Sequence, residues 1–455
     1  MHNESELIIG RRSTGYRILK NLARAAFYIF YRKIRVYGRE NIPDDGGLIF
    51  AANHRNALMD ALAVLLTNRY QPVYLARADI FKNRLAAMIL RFLKIMPVYR
   101  FRDGVGTMGQ NEDTFRNTTA VLAQGGCIGI MPEGNHGEQK RLRTLKKGIF
   151  RIAFRAIEES GKNVSIVPAG LDFTDTDRFR EELVVNYGRP LAVSDYYDLY
   201  RVHPQRGINA MRKDLAGRMS ELIIDIKDEA NYRADRLLIE TGSDEAGKRR
   251  VMNGADGTCR FILQRAFCKS MYEYFEREPE AAGRLRDKGE KLLELLDRHG
   301  IPSPGGHCPG RSGAYSAKIL RVLCFPVFLA GALIHMLPLV LIRLALMQLK
   351  DLQFISSYKF VLGFLLVPLN YVIAGLVLYF LIPPEYLFPA IVAMPVLGIL
   401  AHMCYRYSEE AGRIIGQYRA SKNHPADFEE MSRLREDLRV KLDPVVKCCL
   451  EKLLT

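Results

Sequence analysis

Along most of this chain short apolar runs alternate with stretches whose apolar residues recur about every 3.6 positions, and near its C-terminal end apolar residues form long unbroken runs. Short apolar or β-branched runs at 47–53 (GLIFAAN), 72–75, 95–99, 127–131 and 164–169 alternate with helix-patterned stretches at 57–66, 85–93, 112–122 and 147–158. Strands alternating with helices predict an α/β domain, a mixed sheet flanked by helices, over residues 39–195. Ahead of it, residues 16–37 (YRILKNLARAAFYIFYRKIRVY) set Ile18, Leu19, Leu22, Ala26, Ile29 and Phe30 at helical spacing among Arg and Lys. That pattern predicts a cationic amphipathic helix within an N-terminal region 1–38, suited to packing on a core or to lying on a membrane surface.

After Asp195 the pattern is helical and charged, so residues 196–310 read as a helical segment with PSPGG at 302–306 as a linker. Residues 311–407 hold three apolar runs. Those at 322–342 and 361–382 are long enough to cross a bilayer, and the third, 387–404, sits at the lower limit. Basic residues flank every end except PPEY between the second and third: Lys318 and Arg321, then Arg343, Lys350 and Lys359, then Arg406, Arg413 and Arg419. Positive-inside bias assigns those flanks, and a helical tail at 408–455, to the cytoplasm. Three full crossings cannot satisfy this. Pro326, Gly331, His335 and Pro338 favour a break in the first run, which is therefore expected to be re-entrant or interfacial beside a transmembrane hairpin. Three plain spans with a displaced tail is the alternative.

Composition narrows the functions. Apolar residues at 48% and charged residues at 25% exclude collagen-like, disulfide-scaffold and wholly disordered chains. Lys and Arg number 66 against 50 Asp and Glu, a formal charge of +16 that suits an anionic partner. With long apolar runs present, a bilayer or phosphorylated substrate fits better than nucleic acid. The eight Cys form no CxxC pair and several sit in apolar runs, which predicts buried reduced thiols. The N-terminal residues MHNESELIIGRRSTG lack the pattern of a secretory signal, so this end is expected in the cytoplasm.

Chemistry gathers at the strand ends. In FAANHRNALMDAL, His54 follows an apolar strand and Asp60 lies six positions on, in the next helix. A His beyond a strand serves as general base where a carboxylate holds its other ring nitrogen. Arg100 follows the run KIMPVY; Pro132, Glu133 and Gly134 end GCIGIMPEG; Pro168 lies in SIVPAGLDF.

These four blocks, in this order and spacing, resemble the four motifs of the glycerophospholipid acyltransferase superfamily over about residues 35–190, and the apolar arrangement after residue 311 resembles the hydrophobic C-terminal region of its longer bacterial members. The resemblance implies the glycerophosphate acyltransferase fold and transfer of a fatty acyl group from acyl-CoA or acyl carrier protein to a glycerophosphate hydroxyl. It implies that His54 deprotonates the acceptor and Asp60 orients His54. Arg100 would bind the acceptor phosphate, with bidentate guanidinium geometry as the reason. Asn53, Glu133 and Gly134 would belong to the acceptor pocket and Pro168 to the donor side. Two departures stand out. Five residues separate His54 from Asp60 where four are commoner, a longer spacing like that of a subset including fungal glycerol-3-phosphate acyltransferases. The third block reads Asn135, His136 and Gly137 where Thr, Arg and Ser are usual, leaving Arg141, Arg143 or Lys147 to supply the missing charge.

Lysophosphatidic acid is the expected acceptor, making phosphatidic acid, with glycerol 3-phosphate second and a non-glycerol lysolipid third. The enzyme is expected to be integral to the cytoplasmic membrane, its catalytic domain facing the cytoplasm. A silent scaffold that binds anionic lipid is a rival, opposed by the His54 and Asp60 pair. Gly104, Gly106 and Gly109 (GVGTMG) satisfy a dinucleotide-binding spacing, but follow the polar RFRD rather than opening a strand-to-helix turn. No zinc-type Cys/His spacing and no phosphate-loop signature occurs, so neither metal nor cofactor is expected.

Overall fold

The computed structural model describes residues 14–77, 81, 84–98, 108–252, 259–302, 310–349 and 351–453. Two compact units emerge: Met1–Asp225 together with Leu349–Phe360, and Ile226–Gln348 together with Val361–Thr455.

In the first unit the strands are β1 (Lys33–Tyr37), β2 (Gly47–Ala52), β3 (Val73–Arg77), β4 (Ile95–Val98), β5 (Cys127–Ile130), β6 (Val164–Phe173), β7 (Glu182–Tyr187) and β8 (Leu191–Ala192). They form one sheet in the order β1-β7-β6-β2-β5-β3-β4, with β8 also on β6. The pairings of β6 with β7 and β8 are antiparallel and the others parallel, so the sheet is mixed as expected. The helices are α1 (Thr14–Phe30), α2 (Ala57–Thr67), α3 (Arg84–Phe92), α4 (Met108–Ala123), α5 (Gly148–Ser160), α6 (Tyr197–Val202) and α7 (Pro204–Leu222).

β2 shows why the sheet is covered on both faces. All six of its residues are buried. Leu48, Phe50 and Ala52 share a core with Phe27 and Phe30 of α1 and with Met59 and Ala63 of α2. Ile49 and Ala51 point the other way, into a core with Phe150 and Phe154 of α5 and Ile208 and Met211 of α7. A continuous apolar run is what a parallel strand between two helical layers requires.

Two boundaries differ from the sequence reading. The helix expected over 16–37 stops at Phe30, and Lys33–Tyr37 is a strand in register with β7 from Lys33 against Glu182 to Tyr37 against Asn186. Ile34 and Val36 are β-branched at period two, and an open strand position beside β7 overrides the helical spacing before them. The boundary at 195 also moves. Ile208, Met211, Leu215 and Met219 of α7 are buried against the sheet, so this unit runs on to Asp225. Arg100, Gly104 and Gly106 lie outside the described residues, and Gly109 lies in α4.

The second unit contains α8 (Tyr232–Met252), α9 (Arg260–Arg277), α10 (Pro279–Arg298), α11 (Arg311–Ile334), α12 (Met336–Met347), most of α13 (Ile355–Leu381), α14 (Pro384–Asn423), α15 (Pro425–Lys441) and α16 (Asp443–Lys452). Buried Asp235 of α8 ties the bundle: it accepts Nε and Nη2 of Arg286 at 2.8 and 2.9 Å and the Tyr272 hydroxyl at 2.8 Å.

Among the described residues three helices are long and apolar enough to cross a membrane, Arg311–Ile334, Leu352–Leu381 and Pro384–Asn423, whose apolar 18-residue stretches have mean hydropathies of 2.0, 2.3 and 2.0. The last has 40 residues, about 60 Å of helix, so its apolar first half continues unbroken into the basic flank. Gly331 lets α11 approach α14 closely, since a Cβ there would lie 2.6 Å from the Leu397 carbonyl oxygen. The first apolar run breaks at His335, between α11 and α12. Pro338 has no N–H to offer the carbonyl of Ile334 four residues earlier. Asn370 of α13 supplies the donor instead, its Nδ2 standing 3.0 Å from that oxygen. His335 caps the Gly331 carbonyl through Nδ1 at 2.8 Å and meets the Tyr371 hydroxyl through Nε2 at 2.9 Å.

An unpaired carbonyl in an apolar setting is costly, so Asn370→Leu is expected to lower stability by about 1–2 kcal/mol. Adding Pro338→Ala restores a backbone donor and should recover most of the loss. Thermal unfolding midpoints in detergent micelles, read for both variants, check the pair.

Candidate active site

Three parallel neighbours, β5, β2 and β6, bring their C-terminal ends together, where open α/β sheets offer a crevice for ligands. His54 stands just past the end of β2, its side chain 17% exposed. Asp60, in the first turn of α2, is fully buried. The loop between them folds back so that one carboxylate oxygen, Oδ2, accepts three bonds: from the ring Nδ1 of His54 at 2.8 Å and from the backbone N–H groups of Arg55 at 2.8 Å and Asn56 at 2.7 Å. Ala57 takes φ +43° to open the helix at that bend. The longer spacing is thereby accommodated. The Nδ1 contact leaves Nε2 as the ring nitrogen able to receive a proton from a substrate hydroxyl.

The third block clamps the backbone of His54. Its N–H donates to Glu133 Oε1 at 3.4 Å, and its carbonyl accepts from Gly137 N–H and Arg143 Nη2, each at 3.1 Å. Gly134 makes the turn possible with φ +76°. Burial pushes the Glu133 carboxyl above the usual carboxylate range, and the Arg143 guanidinium opposes this with an Nε contact of 2.6 Å to Oε2. Arg143 also donates to the carbonyls of Asn135 and His136. Its charge is spent on the loop, and Lys147 is engaged with Gln205 Oε1 at 2.8 Å. Of the three cations in reach of the missing Arg, Arg143 therefore serves the clamp on His54 and Lys147 reaches a neutral amide.

His136, at the position of that Arg, puts its ring 3.9 Å from the ring of His54. Burial first, and the neighbouring His54 next, push its pKa down to about 4, so it is neutral at ordinary pH. A pair of cations lies nearby on Asp172: Lys140 Nζ at 2.7 Å and Arg55 Nη1 at 3.7 Å from Oδ1. Lys140 carries no sequence signal of its own, whereas Arg55 directly follows His54 and His136 stands in the third block where Arg is usual.

Two expected binding residues, Asn53 and Pro168, are built into the sheet. Asn53 is buried, with Oδ1 accepting the Leu171 N–H at 2.7 Å and Nδ2 donating to the Leu171 carbonyl at 3.0 Å. Its amide joins the end of β2 to β6 through one donated and one accepted bond. Pro168 is buried inside β6 opposite Ala51, its carbonyl accepting from Gly188 at 2.9 Å. No cluster of metal-ligating side chains stands among the described residues.

Comparison with known proteins finds acyltransferases. Residues 33–172 match the family model Acyltransferase. Glycerol-3-phosphate O-acyltransferase 2 of Saccharomyces cerevisiae is 30% identical over 107 residues, 23% of this chain and 14% of that protein. 1-Acyl-sn-glycerol-3-phosphate acyltransferase of Bacillus subtilis is 25% identical over 193 residues, 42% of this chain and 87% of that protein. The crystal structure of the 1-acyl-sn-glycerophosphate (LPA) acyltransferase PlsC from Thermotoga maritima is similar at 19% identity, covering 43% of this chain and 79% of that one, with a TM-score of 0.30. The chain thus spans only a small part of the first yeast relative and most of the Bacillus one.

Removing one partner of a buried ion pair leaves the other uncompensated, so Arg143→Met is expected to cost about 3 kcal/mol. Glu133→Gln in the same chain should return part of it. Hydrogen exchange across residues 133–143 measures both.

Proposed function

We propose, from the acyltransferase-family domain at residues 33–172, that this chain moves a fatty acyl group from a thioester to the free hydroxyl of 1-acylglycerol 3-phosphate, making phosphatidic acid. The observation that carries the reading is the 2.8 Å contact between His54 Nδ1 and a buried carboxylate that is itself held by two backbone N–H groups. His54 Nε2 takes the hydroxyl proton as the oxygen attacks the thioester carbonyl. The tetrahedral intermediate collapses with loss of the thiolate, to which the imidazolium returns the proton. Asp60 fixes the tautomer and stabilises the charge that His54 gains. Arg100 would hold the acceptor phosphate, and the donor is acyl-CoA or acyl carrier protein. The three apolar helices support an enzyme seated in the cytoplasmic membrane and served by cytoplasmic thioesters.

Glycerol 3-phosphate is the second reading. The five-residue interval between His54 and Asp60 and the 30% identity to a yeast glycerol-3-phosphate O-acyltransferase favour it.

Purified full-length protein offered lysophosphatidic acid, glycerol 3-phosphate and a lysolipid without glycerol, each with both donors, decides the acceptor. His54→Ala is expected to reduce transfer by about 10²–10⁴ with folding and membrane association unchanged, since that is the worth of a positioned base. More than a third of wild-type turnover in that variant contradicts the base assignment.

A further inference from the structure

Three aromatic rings, those of His54, His136 and Phe354, stand in file. The ring of His136 lies 3.9 Å from that of His54, and the edge of Phe354 meets His136 at 5.4 Å and 76°. Phe354 belongs to the stretch leading into the apolar helix α13, and that leader, Leu349–Phe360, packs within the first unit. It is fastened there at three places. Ser356 Oγ donates to the Thr176 carbonyl, Lys359 Nζ donates to the Asp177 carbonyl at 2.6 Å, and Phe360 sits edge-on to Phe27 and Phe30 at 5.9 and 5.6 Å. The Thr176 carbonyl also accepts Asn56 Nδ2 at 3.3 Å, and Asn56 N–H holds Asp60. One leader therefore reaches His54 through His136 and Asp60 through Asn56.

We propose that Phe354 is a positioning residue for His54, acting through His136, so that the leader of a membrane helix is part of the catalytic site. The inference rests on His54 as the base. His54 gains positive charge when it takes the acceptor's proton, and a neutral aromatic ring against it tolerates that charge whereas a protonated one repels it. His54 and Arg143 oppose a charge on His136, while Asp60 and Asp351 favour one. Burial is the largest influence keeping His136 neutral, and Phe354 provides part of that burial. Its removal admits water, lets His136 charge as pH falls, and frees the ring against which His54 is set.

The test uses full-length protein in detergent, comparing Phe354→Ala, Phe354→Tyr and the double variant Phe354→Ala, His136→Asn. In Phe354→Ala, kcat at mildly acidic pH should fall by about tenfold or more, as misplacing a catalytic group does, with the donor KM unchanged and the deficit shrinking as pH rises. The His136 ring resonance should then titrate near the ordinary histidine range, whereas in the wild type and in Phe354→Tyr it does not. The double variant should lose the extra acid sensitivity. A Phe354→Ala enzyme with the wild-type pH profile and the wild-type His136 titration overturns the proposal. Undiminished transfer by His54→Ala would overturn the functional reading and this inference with it; normal sensitivity to His54→Ala alongside an unaltered Phe354→Ala overturns this inference alone.

Discussion

A carboxylate with no exposure to water has to be held by what surrounds it, and the catalytic end of this protein is arranged around that requirement at Asp60. Burying an unpaired charge costs several kcal/mol, which three bonds to one oxygen and a place at a helix N-terminus offset. Meeting the requirement fixes the rest. The chain after β2 must bend back so that Arg55 and Asn56 offer their N–H groups, and the same bend sets His54 against the carboxylate. The ring is then oriented before any substrate arrives.

The neighbouring strands secure that bend from outside. Asn53 locks it to β6 with two bonds to Leu171, and the third block, beyond β5, locks it through Glu133, Gly137 and Arg143. Glu133 and Arg143 pair with each other at 2.6 Å, so the clamp carries little net charge beside the base. The same logic governs the apolar helices. A proline that withholds an N–H at position 338 is answered by Asn370, and the break in the helix becomes a fixed feature.

Much of the catalytic domain is legible in the residues alone because its signals are local. A buried parallel strand shows as GLIFAAN, a helix as period 3.6, and His54 with Asp60 as a short-range pair bearing a family motif. What the residues alone do not show depends on partners distant in sequence. KIRVY continues a helical pattern and becomes a strand because β7, almost 150 residues on, leaves a place for it. Asn53 belongs to a motif and is used for joining strands. His136 is marked by its place in the third block, but its 3.9 Å approach to the ring of His54 is set by the loop after β5, and Phe354, which carries no mark of its own, meets His136 through the leader of α13. Arg143 lies close in sequence to the position where the third block lacks its usual Arg, but its bonds go to a carboxylate and to backbone carbonyls.

The central claim is that Asp60 makes His54 a base by holding one tautomer. Asp60→Asn keeps the size of the side chain and removes its charge, so the steady-state kcat of that variant, measured with its circular dichroism spectrum and melting profile, isolates this role. The expected result is a fall in kcat of about 10⁴, as for loss of the tautomer-fixing carboxylate in a comparable His–Asp pair, with the fold retained. A kcat within tenfold of wild type in a folded Asp60→Asn protein would contradict the account.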